Sequence, residues 1–158
     1  MALQQLHAWI RGFRKLAVIG IGNPLRHDDQ VGLEIVHQLN NQFQDARVLV
    51  IESESVPENY LDTIATFNPS HVLILDAALL NLPAGTARFM ESLPVVPSSI
   101  STHTLPLHLF TSYLQRIIDI QIGFLLIQPA DITFGEGLSP EVQATASGVT
   151  ATLCKLLA

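Results

Sequence analysis

Leu16-Ala17-Val18-Ile19-Gly20-Ile21-Gly22-Asn23-Pro24-Leu25-Arg26-His27-Asp28-Asp29-Gln30-Val31-Gly32 is an apolar run, a glycine turn and the opening of an amphipathic helix. Apolar residues recur at Val31, Ile35 and Leu39, the three-to-four-residue helical period. The stretch therefore predicts a buried strand delivering a helix N-terminus, the first half of a βαβ unit. Such a turn commonly presents backbone N–H groups to a phosphate. Here Asp28 and Asp29 stand where that anion would sit. A helix N-terminus favours negative side chains by about 0.3–1 kcal/mol each, so the site expects a cation rather than a nucleotide. The dinucleotide fingerprint needs a third glycine where this chain has Leu25, and no Gly-Lys-Ser/Thr follows for a P-loop.

Outward from that stretch, strand-like runs appear at 15–21, 47–52, 71–76, 86–91 and 121–128. Helical patterns lie between them. Leu61, Ile64 and Phe67 mark one, entered through Pro57-Glu58-Asn59; Leu107, Phe110, Leu114 and Ile117 mark another. The last runs through Val142, Ala146, Val149, Leu153 and Leu156, with Ser139-Pro140 as its expected N-cap and N1 proline. Alternating strands and helices predict an α/β fold, a three-layer α/β/α sandwich around a twisted, mostly parallel five-stranded sheet. Continuous apolar strands fit a sheet covered on both faces. The less apolar run at 86–91 is expected at an edge or antiparallel, and Ser92–Thr102, with Pro94 and Pro97, is expected as a loop. With no repeat or linker, residues 1–158 are expected to form a single domain, preceded by an N-terminal extension over 1–14.

Composition narrows the function. Hydrophobic residues make up 48% and charged residues 14%, which describes a compact core. Eight scattered basic residues and a net charge of −6 argue against nucleic acid, whose binding draws on clustered Lys and Arg. The single cysteine, Cys154, rules out an internal disulfide and a cysteine-built zinc site; it is expected as an inert buried thiol. No signal peptide and no membrane-length apolar run are present, so a cytoplasmic location without membrane insertion is the expectation.

In open α/β sheets ligands bind beyond the carboxyl ends of the strands. The Asp28-Asp29 pair follows the first strand, Asp76 ends the third, and His103 precedes a helix. Two carboxylates and an imidazole suit a borderline divalent metal such as nickel or zinc. Each residue also has a plainer use: an N-cap for either acid of the pair, a turn cap for Asp76, a backbone partner for His103. Spacing does not choose between Asp28 and Asp29. Glu52 and Glu54, after the second strand, lie on the same edge and are candidates to line the cleft. His27, His37, His71 and His108 are expected as surface or packing residues.

Five segments carry a resemblance. They are Gly20-Ile-Gly-Asn-Pro-Leu with Asp28-Asp29-Gln30-Val31-Gly32, Val56-Pro-Glu-Asn59, Leu73-Ile-Leu-Asp-Ala77, Thr102-His-Thr-Leu-Pro-Leu107, and Gly123 with Ile127-Gln-Pro129. In this order they resemble the hydrogenase maturation endopeptidases, most closely the formate-hydrogenlyase-type members. The resemblance implies an aspartic-type endopeptidase that removes a C-terminal extension from the large-subunit precursor of a [NiFe] hydrogenase after nickel insertion. It implies that Asp29, Asp76 and His103 are both the catalytic and the metal-contacting residues, with Asp28 a supporting neighbour whose loss is the milder. The nickel would come with the substrate, and no organic cofactor is implied. Asn23, Asp28 and Glu52 are the expected substrate-binding residues. The chain departs from the family's usual pattern in reading Glu52-Ser53-Glu54 for Asp-Gly-Gly, and Gln30 for the glycine after the acid pair. Two other functions suit the same residues: a metal-dependent hydrolase of small amides with its own zinc, and a nickel-sensing chaperone that binds precursor without cutting it.

Overall fold

The structure, a computed structural model, describes residues 1–93 and 104–158, with side chains from 107 onward in the second span. Five strands, β1 (Leu16–Ile21), β2 (Val48–Glu54), β3 (His71–Ala77), β4 (Ala87–Met90) and β5 (Gln121–Ile127), form one sheet in the order β2-β1-β3-β5-β4. β2, β1, β3 and β5 are parallel, and β4 runs antiparallel along β5 at the edge. The expected α/β sandwich is thus present. The run at 86–91 is both an edge strand and antiparallel. β2 continues two residues beyond its expected end, to Glu54.

Alternation along β1 explains the layering. Leu16 and Val18 face a core with α1 (Ala2–Ile10), α2 (Val31–Gln42) and α5 (Pro140–Leu157), where Leu6, Ile35, Leu39, Ala146 and Leu153 are buried. Ala17, Ile19 and Ile21 face the other core, against Ile64 of α3 (Leu61–Phe67) and Leu107, Phe110 and Leu114 of α4 (Thr104–Ile117). Every residue of β1 and β3 is buried, so both strands need apolar side chains on both faces. Cys154 is half-buried against the first core.

The N-terminal extension is part of that core. Leu6, Trp9 and Ile10 of α1 are buried, and Trp9 packs against Phe89 of β4 and edge-on to His71 at the start of β3, 5.0 Å between ring centroids. Burial lowers the pKa of His71 from its usual 6.5, because the enclosed ring is held neutral. The sign follows. Below about pH 6.5 the unfolded chain takes up a proton that the folded chain resists, so stability falls as pH drops. The melting temperature is expected to fall more steeply from pH 7 to 5 in the wild type than in His71→Gln. Equal slopes would assign the acid sensitivity to other groups.

Candidate active site

β1 pairs with β2 on one side and β3 on the other, and the connections from these strands pass to opposite faces of the sheet. The crevice beyond their carboxyl ends is where such sheets bind ligands. Three glycines shape it. A Cβ on Gly20 would strike the Gly32 carbonyl and Val36; one on Gly22 would strike the Asp29 backbone; one on Gly32 would strike the carbonyl oxygens of Ile21 and Leu75. Their absence lets the start of α2 press against the ends of β1 and β3. Gly32 touches the residue preceding Asp76, and the short 3-10 turn His27–Gln30, which carries Asp28 and Asp29, packs against β3.

The turn points its two acids in different ways. Asp29 is 2% exposed, and its Oδ2 accepts the backbone N–H of Asn23 at 3.0 Å. Asp76, 0% exposed at the end of β3, accepts the N–H of Ala77 at 2.8 Å. Both take part in further interactions. These are the two carboxylates that the glycine-lined approach brings to one end of the sheet.

Asp28, expected as a substrate contact, is bonded by the fold to a second loop. At 0% exposure, its Oδ1 accepts the Ser139 N–H at 2.7 Å. Its Oδ2 accepts the N–H groups of Ala130 and Asp131 and the hydroxyl of Ser139, at 2.8, 3.0 and 2.8 Å. All four donors belong to the β5–α5 connection. Ser139 does precede α5, but its hydroxyl serves Asp28 and makes no helix-capping bond. His27 adds to the lock: its N–H donates to the Gly135 carbonyl at 2.8 Å, and its ring lies where a Cβ on Gly135 would go. The sequence signals for this second loop, Gly135, Gly137 and Ser139-Pro140, are visible, but nothing local ties them to Asp28 a hundred residues away.

Asn23 forms a tight local turn, its Oδ1 accepting the Leu25 N–H at 2.9 Å. Glu52 is exposed on β2 and meets His37 at 3.3 Å. Ser53 is buried and donates its hydroxyl to the Gly20 carbonyl at 3.0 Å, and Glu54 adopts φ +51°. Thus one of the two positions expected as glycine keeps a glycine-like backbone while carrying an acid. Glu52, Glu54, Glu34, Gln30 and Tyr60 line an open cleft of about 640 Å³ beside the turn. His103 lies outside the described residues. Among the described residues no cluster of three metal-binding side chains occurs, and no helix is long and apolar enough to cross a membrane.

Known proteins resemble this chain in both sequence and fold. The family model HycI, hydrogenase maturation protease, matches residues 33–156. A Methanocaldococcus jannaschii protein named "Putative hydrogenase maturation protease" is 32% identical over 155 residues, covering 94% of this chain and 91% of that protein. The Escherichia coli K12 hydrogenase 3 maturation protease is 28% identical over 115 residues, 72% of each chain. Among solved structures, the [NiFe] hydrogenase maturation protease HycI from Thermococcus kodakarensis KOD1 superposes with a TM-score of 0.90 at 26% identity, covering 97% of this chain and 98% of that one.

Proposed function

The chain belongs to the hydrogenase maturation protease family, and from that premise we propose that it cuts the C-terminal extension from the large-subunit precursor of a [NiFe] hydrogenase once nickel is in place. The observation that carries the reading is the burial of Asp29 and Asp76 at one end of the sheet, behind glycines that have no room for a side chain. Carboxylate oxygens held in place by backbone N–H groups are pre-positioned for a divalent cation. In this reading the cation is the substrate's own nickel.

Asp29 and Asp76 would supply hard oxygen ligands and His103 a borderline nitrogen, a donor set suited to nickel(II). With no thiolate among them, their hold on free nickel is expected to be weak. Cysteine thiolates of the precursor would complete the shell, so the protease would distinguish loaded from empty precursor by shared ligation. Docking by the metal would place the scissile bond beside the same carboxylates. Water then attacks the peptide carbonyl, its proton passing to a carboxylate and on to the leaving amine, so that one C–N bond is exchanged for an acid and an amine. A Ser–His contact does occur, Ser70 Oγ with His71 Nδ1 at 2.9 Å, but it lies at the start of β3, the opposite end of that strand from Asp76, so it activates no nucleophile at this site. The aspartic grouping and a cytoplasmic site of action belong to the same proposal.

Incubating purified protein with nickel-loaded and nickel-free precursor, and weighing both by mass spectrometry, tests it. The loaded form is expected to lose its C-terminal peptide and the empty form to stay intact. Retention of loaded precursor without any mass change would favour the chaperone. Cleavage of short generic peptides by a protein that purifies with stoichiometric zinc would favour the small-amide hydrolase.

A further inference from the structure

β2 is an edge strand, and its outer side is the feature left unexplained. Leu16 pairs with Val48 in register, and the Leu16 N–H donates to the Arg47 carbonyl at 2.8 Å. Backbone groups in a parallel ladder alternate sides, so Arg47, Leu49 and Ile51 bond to β1 while Val48, Val50 and Glu52 point away from the sheet. Two of the outward groups are closed locally. The Val48 N–H donates to the Asp45 carbonyl at 3.0 Å, and the Glu52 carbonyl accepts the Tyr60 hydroxyl at 3.2 Å. Among the described residues nothing closes the rest: the Val48 carbonyl, both groups of Val50, and the Glu52 N–H. They make a short free edge, bounded at both ends.

Hollows follow that edge along its length. One of about 460 Å³ is lined by Phe43, Val48, Leu49 and Val50. The next, about 640 Å³, is the cleft of Glu34, Glu52 and Glu54, which reaches Gln30, the neighbour of Asp29. An endopeptidase must hold its substrate extended across the cleft. Strand addition to an exposed edge does this with main-chain hydrogen bonds, leaving specificity to alternate side chains.

We propose that the free edge of β2 is the substrate track: an extended segment of the precursor pairs with Val48–Glu52 and is led by the acidic cleft to the carboxylate site. This rests on the processing function proposed above. The occupant is a precursor segment carrying basic side chains past Glu52 and Glu54, since three glutamates and no Lys or Arg line that end. A second copy of the chain suits the edge poorly. Four free backbone groups are a small part of the roughly 1,200–2,000 Å² that a stable interface buries, and each copy carries a net charge of −6.

Val50→Pro tests the track, because proline removes an outward N–H without touching the ladder to β1 and is tolerated on edges for that reason. Processing of nickel-loaded precursor is expected to slow by roughly threefold to tenfold or more, as losing a backbone hydrogen bond implies, with melting close to wild type. Hydrogen exchange on the wild type gives an independent readout should the variant fold poorly. The Val50 and Glu52 amides are expected to become protected when uncut loaded precursor is added, and to remain open with the processed subunit. Wild-type cleavage with no protection at these amides, or a folded Val50→Pro that processes at the wild-type rate, would overturn the track and leave the protease function standing. Protection that appears without precursor and grows with protein concentration would assign the edge to self-association, and would overturn it as well. If the edge amides are protected but the precursor is never cut, the track survives and the processing function fails.

Discussion

Asp29→Asn and Asp76→Asn are each expected to leave the precursor uncut, with processing reduced by at least about a hundredfold, the scale at which a positioned acid–base group contributes. The amide keeps the size and one acceptor of the carboxylate, so the backbone bonds to Asn23 and Ala77 can persist. What disappears is the negative charge that would hold the nickel and take the proton. The two acids are buried where Gly32 lets the turn of Asp29 meet the end of β3. Asn fills the same space and keeps these backbone bonds, so melting is expected to stay close to wild type. The measurement is precursor mass in cells producing each variant, paired with a thermal melt of the purified protein. Normal processing by both variants at unchanged stability would move the chemistry elsewhere. His103→Ala is the matching change on the imidazole side, and its outcome would decide whether the proposed donor set is complete.

Asp28→Ala should behave in the opposite way, losing stability first and processing second. Its carboxylate accepts four hydrogen bonds from the β5–α5 connection, and bonds to a charged acceptor contribute about 1.5–3 kcal/mol each before water replaces them. Several of the donors lie at the surface and can be rehydrated, so a net loss of about 3 kcal/mol is expected rather than the sum. For a chain of this size that lowers the melting temperature by roughly 6–12 °C. Well below the melt, processing should be slowed yet detectable, because the carboxylates of Asp29 and Asp76 remain. Asp28→Asn, which keeps one acceptor oxygen in place of two, should fall between. A wild-type melt for Asp28→Ala would mean that the two loops are held together by His27 and Gly135 instead.

Neighbouring acids thus have opposite fates, and the sequence alone does not separate them. Asp28-Asp29 reads as two carboxylates at a helix start, equally available to a ligand. In the fold they sit in a 3-10 turn that sends Asp28 toward the β5–α5 loop and leaves Asp29 with β1 and β3. The same holds for Ser139. Its place before Pro140 predicts a helix cap, and α5 does begin there, but the hydroxyl finds a charged acceptor more than a hundred residues away. A charged acceptor makes the stronger bond, and only the tertiary approach of the two loops supplies it.

What the sequence determined by itself is what short-range periodicity controls. Continuous apolar runs and three-to-four-residue spacing set the strands, the helices and the burial of β1 and β3 on both faces. The glycine turn after the first strand and the helix start that follows it were legible, and so was the family resemblance carried by the same segments; that Gly32 lets the turn press on β3 was not. Tertiary structure alone decided which atoms meet. It made α1 a lid on the first core through Trp9 and His71, spent Asp28 on a distant loop, and left the outer backbone of β2 open beside an acidic cleft. The physical reason is that period and propensity act over a few residues. Hydrogen-bond partners and exposed edges are fixed by how distant segments close on one another, and neighbours in sequence carry no record of that closure.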